Sequence, residues 1–330
     1  MERLTFVTPV FEAELLLLEL QARSFARHLE PGHPVVVLDN TARGLSAQAR
    51  RRLLAAYGPH AGSVRLLRPD EVCALPTASG WRSQQVLKLA VAALVDTAAY
   101  VTLDAKNHLV AAPEPGTFVG PDGRPRVRAY GYRTHPLRPA LEHVLTYLGL
   151  PVEDALDRFA ATVTPFTLEV ATVLAVTADV AARAGRPFAQ EFVERELTEY
   201  FLYAGWLLRR DGTLERALEL TDDANPVVWP RAATLEGVRE VVETARSSGA
   251  PVFGVHRNAV PRLDEAARAE LAAFWAERGL VDDEAAGERL LRELAADHTR
   301  QRRRQQLRDL RPRVLTLGRR ARARVLRHDG

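Results

Sequence analysis

The chain of 330 residues carries one cysteine, Cys73. A lone thiol cannot close an internal disulfide, so the fold rests on its core, and a cytoplasmic location fits. Lysine is almost missing. Of 45 Lys+Arg only Lys88 and Lys106 are lysines. Long apolar runs are also missing. Leu15–Leu18, Leu89–Val95 and Val170–Val176 fall far short of the roughly 18–20 residues of a membrane span. Met1–Phe6 shows no basic region leading into a long apolar run, so no secretory signal is expected. No internal repeat and no zinc-like Cys/His spacing occurs. Neither G-x-G-x-x-G after a strand nor G-x-x-x-x-G-K-[ST] is found, which argues against classical dinucleotide-binding dehydrogenases and P-loop enzymes. G-x-S-x-G and H-E-x-x-H are absent too.

What is there reads as an ordinary globular protein, 47% hydrophobic and 26% charged. That excludes a mainly disordered chain, a collagen and a disulfide scaffold. The length suits one large α/β domain or two ordinary ones. The formal charge of +3 is a cancellation. Residues 300–330 hold twelve Arg and two Asp, a charge of +10, which leaves −7 for residues 1–299. No aromatic residue interleaves these arginines, so stacking on single-stranded nucleic acid is poorly supported. Docking on an anionic membrane surface, at on the order of 1 kcal/mol per basic residue, is compatible. So are a solvated tail and an acidic partner. Richness in Ala and Arg points to a coding bias against Lys. The two surviving lysines are then candidates for places where a planar guanidinium would not serve; chance survival is the plain alternative.

The first third alternates strand and helix, which predicts a mainly parallel α/β sheet covered by helices. Strands are expected at Leu4–Val10, Pro34–Leu38, Val64–Leu67 and Ala99–Leu103. Helices are expected at Phe11–His28, Ser46–Tyr57 with Ser46 as cap, and Trp81–Val95. Further on, Thr117–Val119 and Arg126–Tyr130 flank a Pro121-Asp122-Gly123 turn. Pro136–Gly149, Leu168–Ala184 and Gln190–Arg209 read as helices, and Thr162–Phe166 as a strand stopped by Pro165. Pro226–Trp229 and Pro251–Val255 read as late strands around the helix Leu235–Arg246. From Leu263 the chain reads as helical and polar.

Open α/β sheets bind ligands beyond the carboxyl ends of their strands. Asp104 follows Tyr100-Val101-Thr102-Leu103 directly, and Lys106 lies two residues on, on the same side of an extended segment. A carboxylate beside an ammonium can serve a diphosphate. The acid can hold Mg²⁺ or Mn²⁺ or orient ribose hydroxyls, and the lysine offsets phosphate charge. The plain alternative is a solvated loop. On the preceding helix Gln84 and Lys88 share a face, with Trp81 and Gln85 beside them. In Glu194–Tyr203, Glu196 pairs with Tyr200 and Glu199 with Tyr203 along a helix. A buried glutamate there can act as general base. An acidic helix with aromatic core anchors explains the same pattern. Asp222-Asp223 reads as a solvated pair.

Thr8-Pro9, Gly80–Leu89, Leu103–Asn107, Thr164-Pro165-Phe166 and Thr198–Tyr203, in this order, resemble a bacterial family of uncharacterised proteins. That family is assigned a glycosyltransferase-A-like fold of the nucleotide-diphospho-sugar transferase superfamily. The resemblance spans roughly residues 3–260. It implies a glycosyltransferase-A-like domain at 1–260, followed by a helical extension at 261–299 and the Arg-rich tail at 300–330. It implies transfer of a sugar from a nucleotide diphosphate donor to a glycan or lipid-linked acceptor hydroxyl, as in polysaccharide biosynthesis, in the cytoplasm or at the inner face of the membrane. Thr8 and Asp39 would line the nucleoside. Gln85, Lys88, Asp104 and Lys106 would surround the diphosphate. His256 would supply a late metal or phosphate ligand and Arg257 a phosphate clamp, a surface loop being the alternative. Glu199 would meet the acceptor as the catalytic residue. The resemblance also implies Mn²⁺ or Mg²⁺ on Asp104, with one departure. The family fold usually carries Asp-x-Asp here, whereas this chain has Asp104-Ala105-Lys106. Either Asp104 binds metal with other ligands, or Lys106 takes over part of the metal's role. Two other readings are a non-catalytic nucleotide-sugar or glycan-binding protein of the same fold, and a nucleic-acid-associated protein acting through its tail. The net acidic body weighs against the second.

Overall fold

The computed structural model describes residues 3–76 and 80–303. Most of the Arg-rich tail, and with it the membrane docking considered for it, lies outside the described residues. The strands are β1 (Thr5–Val10), β2 (Val35–Asp39), β3 (Val64–Leu67), β4 (Ala99–Thr102), β5 (Asn107–Leu109), β6 (Arg126–Tyr130), β7 (Phe159–Ala160), β8 (Phe166–Glu169), β9 (Glu219–Thr221), β10 (Val227–Val228) and β11 (Val252–Val255). The helices are α1 (Leu15–His28), α2 (Ala47–Ala56), α3 (Pro69–Val72), α4 (Gly80–Ala90), α5 (Arg138–Leu148), α6 (Val170–Ala184), α7 (Phe188–Glu194), α8 (Glu199–Asp211), α9 (Leu235–Ser248) and α10 (Glu265–Glu277). Residues 284–303 are helical as well.

The central sheet runs β3-β2-β1-β4-β8. Its first four strands are parallel, and β8 closes the edge antiparallel to β4. The fold is therefore the expected one: a mainly parallel α/β sheet flanked by helices, with C-terminal helices. Alternate residues feed opposite layers. Phe6, Val35, Val37 and Val101 pack with Phe25 of α1, Val242 of α9 and Trp275 of α10. Val7, Val36, Leu38 and Tyr100 pack with Val86 of α4, Leu145 of α5, Val176 of α6 and Phe201 of α8. Strands buried on both faces are continuous apolar runs for this reason. The C-terminal helices are less polar in their packing than in their composition, since Leu271, Phe274, Trp275 and Leu291 are fully buried. No described helix is long and apolar enough to cross a membrane.

Three local expectations need correction. The run Gln190–Arg209 is two helices, α7 and α8, separated at residues 195–198. Glu196 sits in the left-handed region at φ 52, so it starts no shared face with Tyr200. The extended Thr198 then stands at the N-cap position of α8, which begins at Glu199, without a side-chain capping bond. The strand expected at Thr162–Phe166 lies beyond the proline: β8 begins at Phe166, after the cis Thr164–Pro165 bond. It pairs with β4 as far as Glu169, which delays α6 to Val170. Finally, the segment after β4 turns instead of extending, with Asn107 N–H donating to Asp104 C=O at 2.9 Å.

The short 3₁₀ turn Pro230–Ala232, next to Trp229, lies under the first turn of α9. A Cβ on Gly237 would stand 2.7 Å from the Ala232 carbonyl oxygen and 2.9 Å from its Cα. Ala normally gains about 1 kcal/mol over Gly in a helix. Here the obstacle is backbone, and overpacking costs about 1–3 kcal/mol. Gly237→Ala is therefore expected to lower stability, read as a reduced urea midpoint.

Candidate functional site

Parallel strands β1, β2 and β4 end on one edge, and their last residues set the site. Tyr100 and Thr102 of β4 face the α4/α8 layer, and Asp104 is the next residue in that alternation. The Tyr100 hydroxyl donates to the Lys88 carbonyl at 2.8 Å, which ties α4 to β4. The Thr102 hydroxyl meets that of Tyr200 at 2.7 Å, which ties α8 to the same strand. The Tyr200 ring stacks on Phe166 of β8 with centroids 4.1 Å apart. These contacts bring the two lysines of the chain onto one carboxylate.

Lys88 Nζ donates to Asp104 Oδ1 at 2.9 Å and lies 3.5 Å from Glu199 Oε1. Lys106 Nζ donates to Asp104 Oδ2 and sits 3.3 Å from Thr164 Oγ1. Thr164 has one proton to give and two acceptors, Asn107 Oδ1 at 2.7 Å and Asp104 Oδ2 at 3.0 Å. The Asp104 N–H donates to Asn107 Oδ1 at 3.0 Å, which fixes the turn. Side-chain exposure is 7% for Lys88, 12% for Lys106, 6% for Glu199 and 31% for Asp104. The carboxylate is thus the open member of a buried group.

Burial alone would discharge these groups, and the pairings decide the outcome. Burial would raise the Asp104 carboxyl, but Lys106 and Lys88 override it and hold it below the ordinary range. Burial would lower Lys88, but Asp104 and Glu199 hold its ammonium well above the ordinary range. For Glu199 burial wins over Lys88, and its carboxyl is raised. The Lys88 ammonium also lies over the Tyr200 ring, 5.3 Å from its centroid.

The other expected residues are distributed around this group. Gln85, one turn before Lys88 on α4, is buried with neither amide atom partnered. Such an amide is costly unless water or a ligand meets it. His256 follows β11, and its ring lies 5.1 Å from that of Trp229. Lys106 Nζ is 5.8 Å from the same indole. Burial, then Lys106 and Arg257, push His256 down to about 4, so its imidazole is neutral. Its Nδ1 accepts the Asn258 N–H at 3.2 Å, which assigns the proton to Nε2. Arg257 stacks on Phe11 at 4.7 Å and lies 3.8 Å from Glu14. Thr8 and Asp39 are engaged elsewhere. Thr8 donates to Gln21 at 2.8 Å, and Gln21 donates to the carbonyls of Asp104 and Asn107 at 3.0 and 2.7 Å. Thr8 therefore supports the Asp104 turn from below. Asp39 accepts from Thr41 N and Oγ1 and from Leu45 N, and lies 3.2 Å from Arg68. Its carboxylate folds its own loop.

Three contributors were not singled out from sequence. Thr164 was visible only as part of a motif. Trp229 is 38% exposed beside His256 and Lys106. Glu14 precedes α1 and interacts electrostatically with Asp104, Arg257, Lys106 and Lys88. Inside a helical apolar pattern its only signal was position, four residues past the end of β1. A cavity of about 210 Å³ lined by Leu15, Leu16, Leu53 and Glu293 lies between α1, α2 and the last helix, and includes none of the charged group. The charged group is the candidate site, because titratable groups held off their ordinary range cluster at functional sites.

The donor set also tests the fit of Mn²⁺ or Mg²⁺. Such ions need several oxygen ligands. Both oxygens of Asp104 already accept from ammonium groups. Among the described residues no three His, Cys, Asp or Glu side chains converge as a metal site. The residues present do not fit a divalent ion.

Burial, reinforced by Asp104, pushes Glu14 up to about 7 from an ordinary 4.5. In that window the folded chain holds a proton that the unfolded chain has lost. Stability from this group therefore falls as pH rises from 4.5 to about 7 and is flat above. Glu14→Gln should remove the deficit, on the order of 3 kcal/mol. In urea titrations the variant should exceed the parent at pH 8 and converge with it near pH 4.5.

A model described as "Family of unknown function (DUF6492)" matches residues 69–229, which contain Lys88, Asp104, Lys106, Thr164, Glu199 and Trp229. No protein of curated function matches the sequence. Among solved structures, the galactosyltransferase LgtC in complex with donor and acceptor sugar analogues aligns with a TM-score of 0.47 at 12% identity, over 89% of this chain and 95% of that one. An active-site mutant of LgtC aligns at 0.45 and 12%, over 69% and 77% of the two chains. The bifunctional glycosyltransferase WbbM, in its apo form, aligns at 0.43 and 13%, over 77% of this chain and 45% of its own.

Proposed function

We propose that the protein is a glycosyltransferase that moves a sugar from a nucleotide diphosphate donor to a hydroxyl of a glycan or lipid-linked acceptor. One observation carries this reading. Two buried ammonium groups and a partly open carboxylate converge at the carboxyl edge of a parallel sheet, beside a buried glutamate whose carboxyl is raised. Open α/β sheets take ligands at this edge, and paired cations there suit a diphosphate. In the transfer, the bond from the anomeric carbon to the diphosphate oxygen breaks as a bond to the acceptor oxygen forms. The nucleoside diphosphate leaves with the electron pair, and the acceptor proton passes to a base. Lys88 and Lys106 offset the charge of the leaving diphosphate. Glu199 is the base, and burial raises its carboxyl and so its basicity. Asp104 holds the two ammonium groups in place. The exposed Trp229, with His256 behind it, offers a flat apolar face to a sugar or base ring. Residues 1–260 form the transferase domain in this reading, and 261–299 an extension packed on it.

A non-catalytic nucleotide-sugar or glycan-binding role is the second reading. It is favoured by the full engagement of Asp104 with lysines.

Release of nucleoside diphosphate from a panel of nucleotide sugars tests the choice. The chain should hydrolyse one donor slowly without acceptor. Glu199→Gln should cut that rate by roughly 10²–10⁴-fold, and Asp104→Asn should lower it as well, with both variants folded by circular dichroism. Unchanged turnover in both variants would overturn the assignments. Donor binding without any release would favour the second reading.

A further inference from the structure

We propose that Lys88 and Lys106 together stand where a divalent cation would, so that the site binds the diphosphate of its ligand without metal. This rests on the donor reading above and specifies how that donor is held.

The argument starts from charge. Each ammonium has three N–H donors. Lys88 directs two of them at Asp104 and Glu199, and Lys106 directs two at Asp104 and Thr164. Each therefore keeps a third, and the two lysines flank Asp104 from its two oxygens. A divalent ion on Asp104 would stand beside two ammonium groups whose like charge repels it, and relieving that repulsion means displacing one of them. Displacing Lys88 would leave a 7% exposed cation with Glu199 alone, and an underpaired buried charge is strongly destabilising. An anion faces no such obstacle. It adds acceptors to two ammonium groups that share Asp104, and Arg257, which like Lys106 acts on His256, adds a further positive charge. Asp104 is then the internal counter-ion that keeps two like charges together in the empty site.

The two accounts of Asp104 predict opposite signs for one substitution. If Asp104 were a metal ligand, Asp104→Asn would abolish diphosphate binding. If it is a counter-ion that competes with the ligand, Asp104→Asn should tighten binding.

The test is isothermal titration with inorganic pyrophosphate and with a panel of nucleoside diphosphates, in EDTA and in excess MnCl₂. The expected result is binding in EDTA with no requirement for Mn²⁺. Asp104→Asn should bind roughly tenfold tighter. Lys106→Met should bind at least about tenfold more weakly, with thermal unfolding confirming its fold. Binding that needs Mn²⁺ and disappears in Asp104→Asn would overturn the inference and leave the donor reading standing. No binding of any probe in either condition would overturn the donor reading, and this inference with it.

Discussion

Lys88 is an ammonium almost shut off from water, and the arrangement around it follows from that constraint. A buried cation is tolerated only where its partners outweigh its lost hydration. Those partners come from separate parts of the chain: Asp104 from the end of β4, Glu199 from the first residue of α8, and the Tyr200 ring beside it. Lys88 itself sits on α4, whose carbonyl accepts from Tyr100. Three elements of one layer are therefore fixed to each other by one charge. The apolar packing of Val86, Tyr100, Phe166 and Phe201 supplies the dry surroundings that make the charge so demanding.

The break between α7 and α8 sets Glu199 against Lys88. A continuous helix would carry Glu199 in mid-helix, among side chains spaced along one face. The left-handed Glu196 and the extended Thr198 restart the helix, so Glu199 enters in its first turn. A carboxylate in that position is favoured by the helix dipole, which partly offsets the desolvation that raises its carboxyl. Arg82 reaches across to the Leu197 carbonyl at 3.0 Å and holds the break against α4.

Much of this was legible in the sequence where it depends on local pattern. Strand alternation, Ser46 as a cap, and Asp104 at a strand end all follow from neighbouring residues. The scarcity of lysine singled out Lys88 and Lys106, and they do meet, although through a turn at Asp104–Asn107 and not through an extended strand. What was not legible depends on separation in the chain. Glu14 and Trp229 reach the site only because β1 and β10 end near β4 in space. The α7–α8 break carries no Gly or Pro between 188 and 211 except Gly205 inside α8, so periodicity ran through it. The loop role of Asp39 was hidden for the opposite reason: it is local, but a strand-end acid looks the same whether it faces a ligand or its own loop.

Exposed arginine in this chain can pair side-on with carboxylates, as Arg133 does with Asp157 and Glu153. At 88 or 106 it would behave differently. A guanidinium is a planar fork that engages a carboxylate with two parallel bonds. On Asp104 that geometry would spend its donors on the acid in one plane. An ammonium divides its donors tetrahedrally. Lys88 can serve Asp104 and Glu199 at once, and Lys106 can serve Asp104 and Thr164, with a direction left over in each case. Of the 45 basic residues 43 are arginine, and the two lysines are the pair that meets at Asp104.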